Sequence, residues 1–95
     1  MSLKSIVYSI HSTLSSEFNI HIPRSHIYEL LAASCGYKTY SSLCSSGFVI
    51  VHAKVVTDRN SVLKRCRELS TGNETQIALF IDEYLYRNEI SLVSV

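Results

Sequence analysis

The sequence predicts a mainly α-helical single domain spanning residues 1–95. It has four or five short helices, with a two-stranded β ribbon (about 48–52 and 90–95) as an optional addition. Three observations predict this. Apolar residues recur at three- and four-residue steps through most of the chain, the spacing that lines one side of a helix. Capping residues and glycines interrupt that periodicity at intervals of a helix length. No internal repeat, charge block or linker divides the 95 residues, a length that suits one domain.

The first helix is expected from about Ser2 to Glu17, where Leu3, Ile6, Val7, Ile10, Leu14 and Phe18 mark an apolar stripe. Pro23 biases Ile22 towards an extended backbone, so no helix passes comfortably through it. Ser25 is the expected N-cap of a second helix, His26 to Cys35, with Ile27, Leu30, Leu31 and Ser34 on one face. Ala32 and Ala33 allow a neighbour to come close, and Gly36 supplies the left-handed residue that ends the helix. Thr39 then caps a short third helix, Tyr40 to Ser46, closed by Gly47. Tyr37, Tyr40, Leu43 and Cys44 are expected to face inward.

Phe48 to Val56 reads two ways. Phe48-Val49-Ile50-Val51 is rich in β-branched residues and follows a glycine, which favours a strand. The alternation in Ile90-Ser91-Leu92-Val93-Ser94-Val95 is imperfect but strand-like. The two segments can pair, although two strands alone are marginal unless they pack on helices. Thr57 or Asp58 caps a fourth helix with Val62, Leu63, Cys66 and Leu69 as its stripe, and Ser70-Thr71-Gly72 stops it. Asn73 caps a fifth, with Ile77, Phe80, Ile81, Tyr84 and Leu85 inward and Glu74 favouring the N-terminal end of its dipole.

Composition narrows the function classes. Apolar residues make up 46% and charged residues 18% of the chain, which excludes a disordered tail. The formal net charge of +1 excludes a generally polybasic nucleic-acid binder. That charge is unevenly spread. From Lys54 to Arg67, Lys54, Arg59, Lys64, Arg65 and Arg67 oppose Asp58 alone. From Glu68 onward, Glu68, Glu74, Asp82, Glu83 and Glu89 oppose Arg87 alone. Such adjacent segments either complement each other inside one fold or present a basic docking surface. No apolar run approaches the ~20 residues that cross a bilayer. The first eight residues have neither a continuous apolar stretch nor a small-residue cleavage site. With three cysteines, an odd count, the expectation is a reducing cytoplasm.

The chemistry-bearing residues form no familiar set. His11, His21, His26 and His52 with Cys35, Cys44 and Cys66 raise the question of zinc, but no Cys-x-x-Cys or His-x-x-x-His spacing is present. Cys35 closes a helix, where the dipole disfavours a thiolate. Cys66 lies between Arg65 and Arg67 but on an inward stripe. Asp82 and Glu83 are adjacent and diverge by about 100° on a helix, so they make no acid/base pair. Three glycines cannot build a phosphate loop. Ala32 and Gly36 carry the spacing of a DNA-binding helix-turn-helix, but the positions one, six and nine after the glycine are Tyr37, Ser42 and Ser45, and two of them are polar. The would-be recognition helix, Tyr40-Ser41-Ser42-Leu43-Cys44-Ser45-Ser46, carries no base. No enzyme, cofactor or metal is expected.

Ser25 to Leu43 resembles a small bacterial helical domain found at the N-termini of helical-repeat proteins and, in a related form, of glyoxalase-related proteins. The elements that carry the resemblance are Glu29-Leu30-Leu31-Ala32-Ala33, Gly36-Tyr37, Tyr40 and Leu43. Arg65-Cys66-Arg67-Glu68-Leu69 is similar to that domain's Arg-Cys-x-x-Leu segment. The resemblance implies a docking or regulatory module with no catalytic residues to carry over. The chain departs from it in the apolar run Phe48 to Val56 and in having no repeat array behind the domain.

The functional expectation is therefore a non-enzymatic protein-interaction or regulatory module of a bacterial cytoplasm, taking a protein partner or a second copy and no membrane or small-molecule substrate. Its expected contact residues are Arg59, Lys64, Arg65 and Arg67 on a basic helical face, with Tyr8, Tyr28 and Tyr86 exposed, since arginine and tyrosine often anchor interfaces. An exposed apolar strand edge would equally favour self-association. The alternative is a nucleic-acid-binding domain using the basic helix around Arg59 to Arg67.

Overall fold

The computed structural model describes residues 2–95. Five helices and two strands follow in the order α1 (Leu3–Phe18), α2 (Arg24–Ser34), α3 (Tyr40–Ser46), β1 (Phe48–His52), α4 (Arg59–Leu69), α5 (Glu74–Arg87) and β2 (Ile90–Ser94). The domain is mainly α, as the apolar spacing predicts. Its extents are 34 × 25 × 21 Å.

Local chemistry sets most helix ends. Ser2 and Ser5 form a reciprocal capping box at the start of α1: the Ser5 N–H donates to the Ser2 hydroxyl and the Ser2 N–H to the Ser5 hydroxyl. Thr39 caps α3 through the Ser42 N–H at 3.0 Å, and Asp58 caps α4 through the Ser61 N–H at 3.2 Å. Gly36, with φ +88°, ends α2 in a Schellman turn. There the Tyr37 N–H donates to the Ala32 carbonyl and the Gly36 N–H to the Ala33 carbonyl.

Two termini differ from expectation. α2 begins at Arg24 with Pro23 at the N-cap, not Ser25. The Pro23 carbonyl already accepts from the His26 and Ile27 N–H groups, so the first turn closes two residues earlier. Asn73 occupies the N-cap of α5 but makes no side-chain bond, because its backbone is left-handed (φ 46°, ψ 35°) instead of extended. The stop expected at Ser70-Thr71-Gly72 is present: Ser70 turns the chain out of α4 in a left-handed conformation, with the Thr71 N–H donating to the Cys66 carbonyl.

α2 is the hub. Its residues Leu30 to Ser34 are all buried, because α1, α3 and α4 pack around it. The two alanines permit this approach, and the buried Ser34 hydroxyl donates to the Leu31 carbonyl at 2.6 Å. α5 closes the cluster against α4 and α1. Ile6, Ile10, Leu14, Ile27, Leu30, Leu31, Leu43, Val62, Cys66, Ile77 and Ile81 fill the centre. Phe18 is not in the core: it is exposed, and it meets Phe80 edge-on at 5.4 Å. Cys44 is also exposed, not inward. Leu43 alone of α3 is fully buried, with Tyr37 and Tyr40 half-buried over the turn.

The ambiguous segment resolves into a strand and a loop. β1 pairs antiparallel with β2, with Val49 opposite Val93, Ile50 opposite Leu92 and His52 opposite Ile90. The Ala53 N–H donates to the Glu89 carbonyl and the Val95 N–H to the Gly47 carbonyl, extending the ribbon at both ends. Ile90 and Leu92 are buried, and Phe48 and Ile50 pack against the same core. The opposite face shows Val49 and Val93 to solvent. Residues 53–58 then lead to α4, and the Asp58 N–H ties them to the Ser34 carbonyl at the end of α2.

Candidate functional site

The expected basic face is largely neutralised from within. Arg59 on α4 reaches Asp82 on α5 at 2.6 Å, and Arg67 reaches Glu74 at 3.3 Å. Arg65 turns the other way, to Glu29 on α2 at 2.9 Å and to Glu68 at 3.4 Å. The positive and negative segments therefore meet across the α4–α5 and α4–α2 contacts. Lys64 makes no ion pair among the described residues. It lines a shallow pocket with Lys38, Thr39, Ser61 and Glu68.

Electrostatics follow this pairing. Burial pushes the Glu29 carboxyl up, but the Arg65 guanidinium and the Tyr40 N–H together outweigh it and leave its pKa below the ordinary value. The Asp82 carboxyl is lowered by Arg59, against the cost of burial and with help from the Thr57 hydroxyl at 2.8 Å. Burial pushes the Cys35 and Cys66 thiols up, away from the nucleophilic thiolate. A hydrogen bond to the Cys44 sulfur, then burial, pushes the Tyr40 hydroxyl up to about 12.

The three tyrosines part company. Tyr8 is exposed and carries the Arg24 guanidinium 6.0 Å from its ring centroid. Tyr86 is 48% exposed, with the Lys54 ammonium 5.6 Å from its ring. Tyr28 is not exposed as expected: it is half-buried against Tyr40, with centroids 4.8 Å apart, because both rings cover the turn between α2 and α3. Of the seven expected contact residues, Arg59 and Tyr86 line one depression, with Val56 and Arg87, and Lys64 and Arg65 line another. Tyr8 lies on the α1–α2 side with His11 and Arg24. Among the described residues no group of three His, Cys, Asp or Glu side chains gathers to hold a metal.

What the sequence reading missed is an apolar strip. Val49 and Val93 sit side by side on the outer face of the ribbon, 48% and 43% exposed. Val55 and Val56 project from the loop after β1, with Val56 82% exposed. Between that loop and β2 runs a groove walled by Cys35, Val55, Val56, Leu85 and Leu92. Val93 borders the groove, and Val56 joins it to Arg59 and Tyr86. The continuous β-branched run Val49-Ile50-Val51 was a usable signal for a strand apolar on both faces, but such a run does not say which face a helix covers. Compared with known protein families, curated proteins and solved structures, the chain matches none.

Proposed function

We propose that this chain is a protein-interaction module of a bacterial cytoplasm, without catalytic machinery of its own. It docks through the ribbon's valine face and the adjoining surface of Val56, Arg59 and Tyr86. The observation that carries the reading is the exposed apolar strip Val49, Val93, Val55, Val56 and Tyr86. Side chains of this kind scattered singly need no explanation, but a run of them beside a groove is what an interaction surface presents. The nucleic-acid alternative loses support on α4, since Arg59, Arg65 and Arg67 already face carboxylates and a phosphate would have to displace them.

A comparison of wild type with Val56→Lys/Tyr86→Ala tests the reading. Both full chains are used as bait in host extract, beside a gel shift on random duplex at low salt. The expected result is a protein captured by wild type and lost with the variant, and no duplex shift at about tens of micromolar, where a basic surface would bind non-specifically. A salt-sensitive duplex shift with no protein captured would overturn it.

A further inference from the structure

We propose that β1 pairs with β1 of a second copy of this chain, antiparallel across a two-fold axis through Ile50, so that the two ribbons form one four-stranded sheet. The proposal rests on the interaction-module reading and names its partner.

The direction of the backbone groups comes first. The Ala53 N–H bonds to Glu89 and the Val95 N–H to Gly47. Directly opposed residues of an antiparallel pair alternate between bonded and non-bonded. The bonded pairs are therefore Gly47–Val95, Val49–Val93, Val51–Ser91 and Ala53–Glu89. The N–H and C=O groups of Phe48, Ile50 and His52 consequently point away from β2, along the free edge of β1. The same rule points the Leu92 N–H off the other edge, where it meets the Cys35 sulfur.

The two edges are not equivalent. The edge of β2 borders the groove walled by Cys35 and by Val55 to Asp58, and one of its donors is already engaged. No helix makes an extensive contact with β1, whose one extensive neighbour among the described residues is β2. Exposed edges are ordinarily blunted by lysine, proline or a bulge. Phe48-Val49-Ile50-Val51-His52 has none of these, and its register with β2 runs unbroken.

The edge fits itself. With Ile50 on the axis, Phe48 falls opposite His52 of the second copy, and Ile50 opposite Ile50. The three outward-facing residues of each strand then meet as bonded pairs, giving about six backbone hydrogen bonds. Val49 falls opposite Val51 of the second copy on the outer face. Combined with the observed register, this lays Val93, Val49, the second copy's Val51 and its Ser91 in one row across the sheet, with the symmetric row beside it. On the inner face Leu92, Ile50 and their two mates make a continuous apolar row. The one ionisable side chain on the strand, His52, keeps Glu89 of its own chain at 3.1 Å and meets a phenylalanine across the axis, so no like charges are opposed. Charge and pattern thus both suit an identical strand, and a two-stranded ribbon gains most from added strands.

Sedimentation of the full chain from low to high micromolar tests this, together with backbone amide exchange at both ends of that range. Wild type is expected to dimerise, and the Phe48, Ile50 and His52 N–H groups are expected to exchange more slowly at high concentration. Val49→Lys/Val51→Lys opposes like charges at both outer-face pairs across the axis and should raise the dimer Kd about tenfold or more. Val49→Lys/Val51→Glu opposes unlike charges at the same pairs and should recover most of that loss, which a general disturbance of the ribbon would not do. Far-UV circular dichroism on dilute samples checks that each variant folds, and the amide readout on wild type needs no variant. A monomer throughout, or a dimer whose three N–H groups stay unprotected, overturns the proposal. A monomer that still captures a protein through its valine strip overturns the dimer alone. A dimer of this form that captures nothing else upholds the dimer and ends the docking of other proteins.

Discussion

Glu29 holds three elements together with one carboxylate. Its Oε1 accepts from the Arg65 guanidinium of α4 and from the Tyr40 N–H, one of the donors the first turn of α3 leaves without a helical partner. Both charged side chains are about three-quarters or more buried, so losing one strands the other. Glu29→Gln is expected to cost about 2 kcal/mol at neutral pH, seen as a lower urea midpoint. The sign of its pH dependence follows from the lowered pKa. A carboxyl held below its unfolded value stabilises the fold fully above that value and loses the contribution as pH falls through the folded one. The gap between wild type and variant should therefore be constant above about pH 5 and close as the pH drops below about 4. A gap that persists at low pH would mean that shape, not charge, is what Glu29 supplies. Arg67 stands differently. Its side chain and that of Glu74 are both more than a third exposed, and exposed pairs contribute little. Arg67→Gln should shift stability by less than about 1 kcal/mol, measured by the same denaturant titration.

At the scale of elements, the turns carry the most local strain. Ser70 sits at φ 53°, a conformation that a side chain disfavours and glycine does not. Ser70→Gly is expected to raise stability by about 0.5–1 kcal/mol, read as a melting temperature a few degrees higher. The elements themselves were legible. The stripes of α1, α4 and α5, the Thr39 and Asp58 caps and the turn at Gly36 all rest on interactions within a few residues, where sequence is most informative. The residues behind the resemblance of Ser25 to Leu43 also have local work: Leu30 to Ala33 are core, Gly36 turns the chain, and Tyr37 and Tyr40 cover the turn. What stayed hidden depends on distant contacts. Tyr28 looks like a solvent-facing aromatic until Tyr40 is brought against it from the next helix. The Ser25 cap fails because the carbonyl of Pro23 starts the turn first. Which face of the β1–β2 ribbon is covered depends on where α5 lies.

At the scale of the whole molecule, the near-zero charge is an internal cancellation. Basic α4 is clamped between acidic groups on α2 and α5, and no large field of either sign is left over for long-range attraction. A partner of the proposed kind would accordingly have to be held by short-range fit and apolar contact. That agrees with the placing of its exposed valines beside a groove and along a strand edge.

The ribbon also imposes an order of events during synthesis. Even the side-chain contact at the ribbon's near end, His52 to Glu89 just before β2, spans 37 positions, and all of α4 and α5 is made in the interval. At ordinary translation rates β1 waits on the order of seconds for its mate. In that interval the nascent chain has a template strand open along both sides and valines uncovered. The helices, built from near neighbours, settle meanwhile. β2, made only after both helices, is thus the stretch that closes the sheet and leaves β1 open along one side instead of two.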